Sequence, residues 1–200
     1  TLRVTGEAIP ASLGPDLELL IKRLRTEAGI NITRVAQNMD ANITIQTLPH
    51  ADLQKREPNT ACIVAPNISS WNAFRQSRRT DLSWSHVIQR EKLSIFIPND
   101  EAPQEIRDCL HEELAQALGP LNDLYHLTDS VYNDDNIHSV LTGFDMLILR
   151  ATYAPSLRNG MSRAEVSQRL PAILTQINPV GNRVSTPPHT PTPRTWINDI

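Results

Sequence analysis

The chain lacks any excess of positive charge: 19 Lys and Arg stand against 22 Asp and Glu, for a formal net charge of -3 and a pI near 6.0. Phosphate-backbone binding draws its affinity from clustered cations, so composition excludes a nucleic-acid partner. The one basic cluster, Arg75, Arg78 and Arg79, falls beside Trp71 and Phe74 on an amphipathic segment and reads as a solvated helix face. Long apolar runs are missing too. None approaches the length of about 20 residues that a bilayer span needs, so no membrane span is expected. There is no GxxxxGK phosphate loop, no internal repeat, and no Gly-x-Ser-x-Gly frame around Ser130 that would make a nucleophile elbow. Cysteine is scarce: Cys62 and Cys109 are the only two, without the spacing of a zinc site. In an exported protein they are expected to pair, joining the strand-like run at Ala61 to Val64 to the segment just ahead of Glu112. The chain-entropy value of closing such a loop is about 4 kcal/mol. The opening at Thr1 rather than Met reads as a removed leader or a trimmed end.

What is present suits one globular core, since 200 residues with 40% hydrophobic content can bury most of their unfolded surface. Residues 1–178 are read as a single domain and 179–200, rich in Pro and Thr, as an extended tail pinned by Trp196. Arg3 to Ala8 alternates as a strand, and Leu17, Leu20, Ile21 and Leu24 recur at helical spacing up to Gly29. Asn31 to Ala36 and Asn42 to Thr47 read as a hairpin, and His50 to Glu57 as a short helix. A strand closing at Pro66 precedes a helix through Trp71 and Phe74 that Ser69 or Ser70 caps. Ser85 to Gln89 and Lys92 to Pro98 read as two strands joined by a turn at Arg90 and Glu91. A helix from Pro103 to Leu118 follows, capped by Asn99 or Asp100, with Ile106, Leu110, Leu114, Ala117 and Leu118 on its core stripe. Gly119 is expected as its left-handed cap. A long Asn- and Asp-rich loop runs to Ser139, and two more helices follow, from Phe144 to Tyr153 and from Ser162 onward. The order of elements predicts an α/β (α+β) domain with a mixed twisted sheet and a decisive helix beneath a cleft.

Chemistry concentrates on that helix. Two imidazoles one turn apart, with a Glu beside the first, are what a catalytic zinc helix requires. His111 is followed by Glu112, but Ala115 stands four residues on, so HExxH fails. One position later, Glu112-Glu113-Leu114-Ala115-Gln116-Ala117-Leu118-Gly119-Pro120-Leu121-Asn122 has the spacing HExxHxxGxxH with its acid and glycine kept. Glu112, Gln116 and Asn122 occupy the three histidine positions, and Asp123 follows at once. Oxygen ligands of this kind suit a hard ion such as Ca²⁺ better than zinc, and Asn133 to Asn136 lacks the spacing of an EF-hand loop. No metal and no cofactor are therefore expected. Glu113 and Gln116 lie one turn apart and can share a site, as general base and partner or as a polar buttress for the loop. Glu112 points about 100 degrees away. His126 and His138 are read as solvent-exposed, and Asn31, Asn42 and Asn67 open Asn-x-Ser/Thr triplets.

That stretch resembles a degenerate metzincin metalloprotease, a member of the zincin fold group. Ser130-Val131-Tyr132 is similar to the Ser-Ile-Met turn beneath the metal, with Tyr132 in the methionine's place, and Leu141 to Tyr153 is similar to the metzincin C-terminal helix. The same residues, with Asn133-Asp134-Asp135, Pro155, Leu157, Gly160 and Met161, resemble a bacterial family of unknown function found in secreted proteobacterial proteins. Some members are labelled transcriptional regulators, a label this chain's lack of a basic recognition helix does not support. The resemblance covers residues from about 60 to 165 and implies export to the periplasm or beyond. It implies a metalloprotease-like domain without zinc histidines: a pseudo-peptidase or a module binding a peptide or protein. The alternative is a non-classical hydrolase of peptide-like substrates with Glu113 as base and Glu112 or Asp123 as acid. Gln116, Asn122, Asp123 and Asp134 would line the cleft, which is expected between Glu112 and the strand at Ser85 to Gln89.

Overall fold

The computed structural model describes residues 1–121, 124–133 and 137–181. β1 (Leu2–Thr5), β2 (Ile43–Leu48), β3 (Ile63–Pro66) and β4 (Leu93–Pro98) form one mixed sheet in the order β1-β2-β4-β3. β1, β2 and β4 run parallel, and β3 pairs antiparallel with β4, Ile63 opposite Phe96. The helices are α1 (Leu13–Glu27), α2 (His50–Arg56), α3 (Trp71–Gln76), α4 (Pro103–Leu118), α5 (Gly143–Thr152) and α6 (Arg163–Ile177). The domain is thus α+β, as the order of elements predicts.

Helices cover both faces of the sheet, which explains β4. Leu93, Ile95 and Ile97 join α1, α4 and α5 in the larger core. Phe96, on the opposite face, packs with Trp71 and Phe74 of α3 and Leu53 of α2. Ser94 is also buried and donates to the carbonyl oxygen of Ile68 at 3.0 Å, so every residue of β4 is out of water. The polar residues of this alternating stretch therefore do not mark a wet face.

The neighbouring stretch is a correction. Ser85 to Gln89 is no strand: a single 3-10 turn, Trp84–His86, occupies the region, and Arg90 reaches the end of α4 instead of turning a hairpin. The expected hairpin at 31–47 is absent as well. Arg34 makes one parallel bridge to Leu2 while β2 pairs with β1, so the two runs address β1 rather than each other, and Ile30 and Ile32 spend their side chains on the core.

α1 and α4 are joined by a buried ion pair, Arg107 Nε to Asp16 Oδ2 at 3.0 Å. Such a pair fixes register between helices more than it adds net stability, because each charge loses its water on burial. A disulfide links Cys62, just before β3, to Cys109 of α4 with Cα atoms 5.8 Å apart. The edge strand is thereby tied to the helix that carries the motif. No helix among the described residues is long and apolar enough to cross a membrane. The tail beyond residue 181 lies outside the described residues.

Candidate functional site

α4 begins at Pro103, whose missing N–H costs nothing at a first helical position. Its N-cap is Ala102, not Asn99 or Asp100; the Asp100 carboxylate accepts the backbone N–H of His50 and so caps α2. The helix is buried around most of its circumference, including Arg107, His111 and Glu113. Glu113 keeps only 5% of its surface, so it belongs to the buried side rather than off the core stripe, while Glu112 and Gln116 are half-buried. The 100-degree step between adjacent helical residues accounts for the different settings of Glu112 and Glu113.

The C-terminal end of α4 is held by groups from three directions. The Gly119 N–H donates to Ala115 O at 2.7 Å, and the Tyr132 hydroxyl donates to the same oxygen at 3.0 Å. Arg90 Nη1 donates to the carbonyls of both Gln116 and Ala117 at 2.9 Å. A cation on the last carbonyls of a helix also complements the negative end of its dipole. Gly119 is not the left-handed cap the sequence suggests: its φ is -128° and ψ -146°. Glycine is needed there for space, since a Cβ would stand 2.7 Å from the Tyr132 hydroxyl and 2.9 Å from Leu149 Cδ2.

Beneath α4 lies the turn at Ser130 to Tyr132, fully buried and organised by one carboxylate. Asp145 Oδ1 accepts the Ser130 hydroxyl at 2.6 Å, and Oδ2 accepts the N–H groups of Thr142 at 2.7 Å and Val131 at 3.3 Å. The Asp145 N–H in turn donates to Thr142 Oγ1, closing a capping box at the start of α5. Asp145 therefore caps its helix and buttresses the turn with the same two oxygens. His111, set aside in the sequence because no partner stands four residues on, also acts here. Its Nδ1 accepts the Leu141 N–H at 3.0 Å, which leaves the ring proton on Nε2 and pins α4 to the residue preceding the α5 cap.

Of the six residues singled out in the sequence, Glu112, Glu113 and Gln116 lie on one turn of α4; Asn122, Asp123 and Asp134 lie outside the described residues. No group of three or more His, Cys, Asp or Glu among the described residues is placed to hold a metal ion. His138 contacts the carbonyl of Thr128 at 3.0 Å, well away in chain from α4.

A concavity of about 730 Å³ opens beside the C-terminal end of α4. Its walls are residues 87–90, the α4 end at Leu118 and Gly119, and the chain from Thr152 to Met161 between α5 and α6. That volume falls within the roughly 300–1,000 Å³ typical of ligand sites. Ile88, 73% exposed, and Tyr153, 46% exposed, flank it. At one side the Arg90 guanidinium lies over the Trp84 ring, 5.3 Å from its centroid. Burial draws the Arg90 pKa down, opposed by the nearby Tyr153 and Tyr132 hydroxyls. Burial likewise pushes the Tyr153 phenol up, with Arg90 pulling it back. The sequence offered no signal for this groove, because its walls come from three separate segments with no common motif.

The profile of a family described as a protein of unknown function (DUF2927) matches residues 1–172. No curated protein and no solved structure matches the chain.

Proposed function

The chain belongs to the DUF2927 family, whose description assigns no activity, and from that starting point we propose that it is an exported module of metalloprotease-like build that binds a peptide segment without cutting it. The observation that carries this reading is the setting of α4: Tyr132 of the buried turn reaches up to Ala115, while Glu113 is left with 5% of its surface. The metzincin resemblance implies a turn beneath the motif helix, and the Tyr132 contact with Ala115 supports that reading. A general base, by contrast, must reach the water or substrate proton it removes. A side chain so enclosed acts as a buttress, so the binding reading is favoured over hydrolysis with Glu113 as base.

The groove beside α4 is where a ligand fits best. It is concave, partly apolar, and lined by an aromatic residue with a polar tip, Tyr153, of the kind that anchors peptides at low entropic cost. It replaces the cleft expected against a strand at Ser85 to Gln89, since that strand is absent. Export is supported by the Cys62–Cys109 bond, because disulfides persist in oxidising compartments and are rare in the cytosol.

The test combines two measurements on purified protein. Incubated with a peptide library, the wild type is expected to leave every peptide intact by mass spectrometry, while binding a subset saturably. Tyr153→Ala is expected to weaken that binding about tenfold, an anchor-sized loss. Cleavage by the wild type that disappears in Glu113→Gln, with the variant still folded, overturns the reading in favour of a hydrolase.

A further inference from the structure

We infer that the groove beside α4 recognises a carboxylate on its peptide ligand, either the free C-terminal group or an Asp or Glu side chain, through the guanidinium of Arg90. This rests on the peptide-binding reading above and adds to it the chemistry of the ligand.

Three observations converge on it. The first is how Arg90 is held. Nη1 is spent on the carbonyls of Gln116 and Ala117, and the ring of Trp84 backs the guanidinium plane. Nε and Nη2 have no hydrogen-bond partner among the described residues, and Arg90 is half-buried rather than enclosed. Those two nitrogens form the edge of the guanidinium that takes a carboxylate in the two-pronged, parallel geometry. An arginine immobilised by a helix end and an indole has already lost the side-chain freedom that binding would otherwise cost.

The second is charge. The chain as a whole is acidic, with a net charge of -3, yet among the described residues the groove is lined by two arginines, Arg90 and Arg158, and by no Asp or Glu. Arg158 does face a carboxylate, Glu165 Oε1, at 3.9 Å, but both side chains are well exposed and such a contact is weak. The groove is thus a locally positive concavity on an acidic molecule, and a partly desolvated cation attracts an anion more strongly than one in open water.

The third is the rest of the lining. Tyr153 lines the same groove as Arg90 and is 46% exposed, which brings a phenolic donor to it. Ile88 and Pro155 offer apolar wall for the residues next to the carboxylate. Carboxylate fork, hydroxyl donor and apolar wall together describe an acidic or C-terminal peptide segment better than a neutral one.

The experiment uses a tetrapeptide library made in three forms: free acid without acidic side chains, amide without acidic side chains, and amide containing one Glu. Selected binders are measured by calorimetry on the full chain. At least one carboxylate-bearing form is expected to bind about tenfold tighter than the neutral amide, and which form does so names the source of the carboxylate. Arg90→Gln is expected to erase that difference, and Arg90→Lys to recover only part of it, because an ammonium keeps the charge without the fork. Should Arg90→Gln unfold, the wild type decides the matter alone: raised salt must weaken the carboxylate form selectively. Equal binding of all three forms overturns the carboxylate assignment while leaving peptide binding intact, and so does a preference that survives in folded Arg90→Gln. Absence of binding by every form overturns both.

Discussion

Gly119 and Tyr132 answer to each other at the scale of single residues. Gly119 has no room for a methyl group, because the Tyr132 hydroxyl and Leu149 already occupy the space. Gly119→Ala forces one of these buried groups aside, and overpacking of this kind costs roughly 1–3 kcal/mol. Tyr132→Phe loses one of the two hydrogen bonds to Ala115 O, while the Gly119 N–H still satisfies that carbonyl, so about 1 kcal/mol is expected. The double variant removes the oxygen that the new methyl group would strike. Its loss is expected to be smaller than the sum of the two single losses, by about 0.5 kcal/mol or more in urea denaturation. Strict additivity would mean that the helix end does not rest on Tyr132.

At the scale of the element, α4 carries a cost in its N-terminal half. Asp108 has one carboxylate oxygen buried without a hydrogen-bond partner among the described residues. Its pKa is pushed up to about 6, by burial first and Glu105 second, against a smaller opposing pull from Arg107. The unfolded chain releases this proton near 3.8, so between there and about 6 the folded state holds it more tightly. Stability from this group therefore falls as pH rises through that window and is level above it. Asp108→Asn is expected to match the wild type near pH 4 and to exceed it at pH 7 by up to about 1 kcal/mol, after discounting for the solvent that reaches a half-buried group. Urea midpoints at the two pH values check this, and an unchanged difference between them would remove Asp108 from the account. The same helix shows what periodicity conveys. Its core stripe and its start at Pro103 are legible, because apolar spacing and proline geometry are local. The burial of Glu113 and His111 is not, because polar residues are buried only where another segment meets them, as Leu141 meets His111.

For the whole molecule, the Cys62–Cys109 bond closes a loop with a sequence separation of 47 and ties the edge of the sheet to α4. The chain-entropy estimate for a loop of this size is about 4 kcal/mol. Reduction, or replacement of both cysteines by Ala, is expected to lower the melting temperature by about 10 °C in a chain of this length. Differential scanning calorimetry with and without a reductant measures it. A shift of only a degree or two would show that packing of β3 and α4 against β4 holds the edge without the bond.

What the sequence determined by itself was the inventory of strongly periodic elements, the α+β class, the pairing partner available to each cysteine, and the helix on which the unusual residues sit. All of these follow from spacing along one segment or from there being only two thiols. The tertiary structure decided the rest. β1 claimed the two runs that look like a hairpin, and helices on both faces turned an alternating strand into a fully buried one. Arg90, which reads as a turn residue, became the cap of α4 and the wall of a groove. These outcomes depend on which segments meet, and burial, hydrogen bonding and charge act between neighbours in space whatever their distance along the chain.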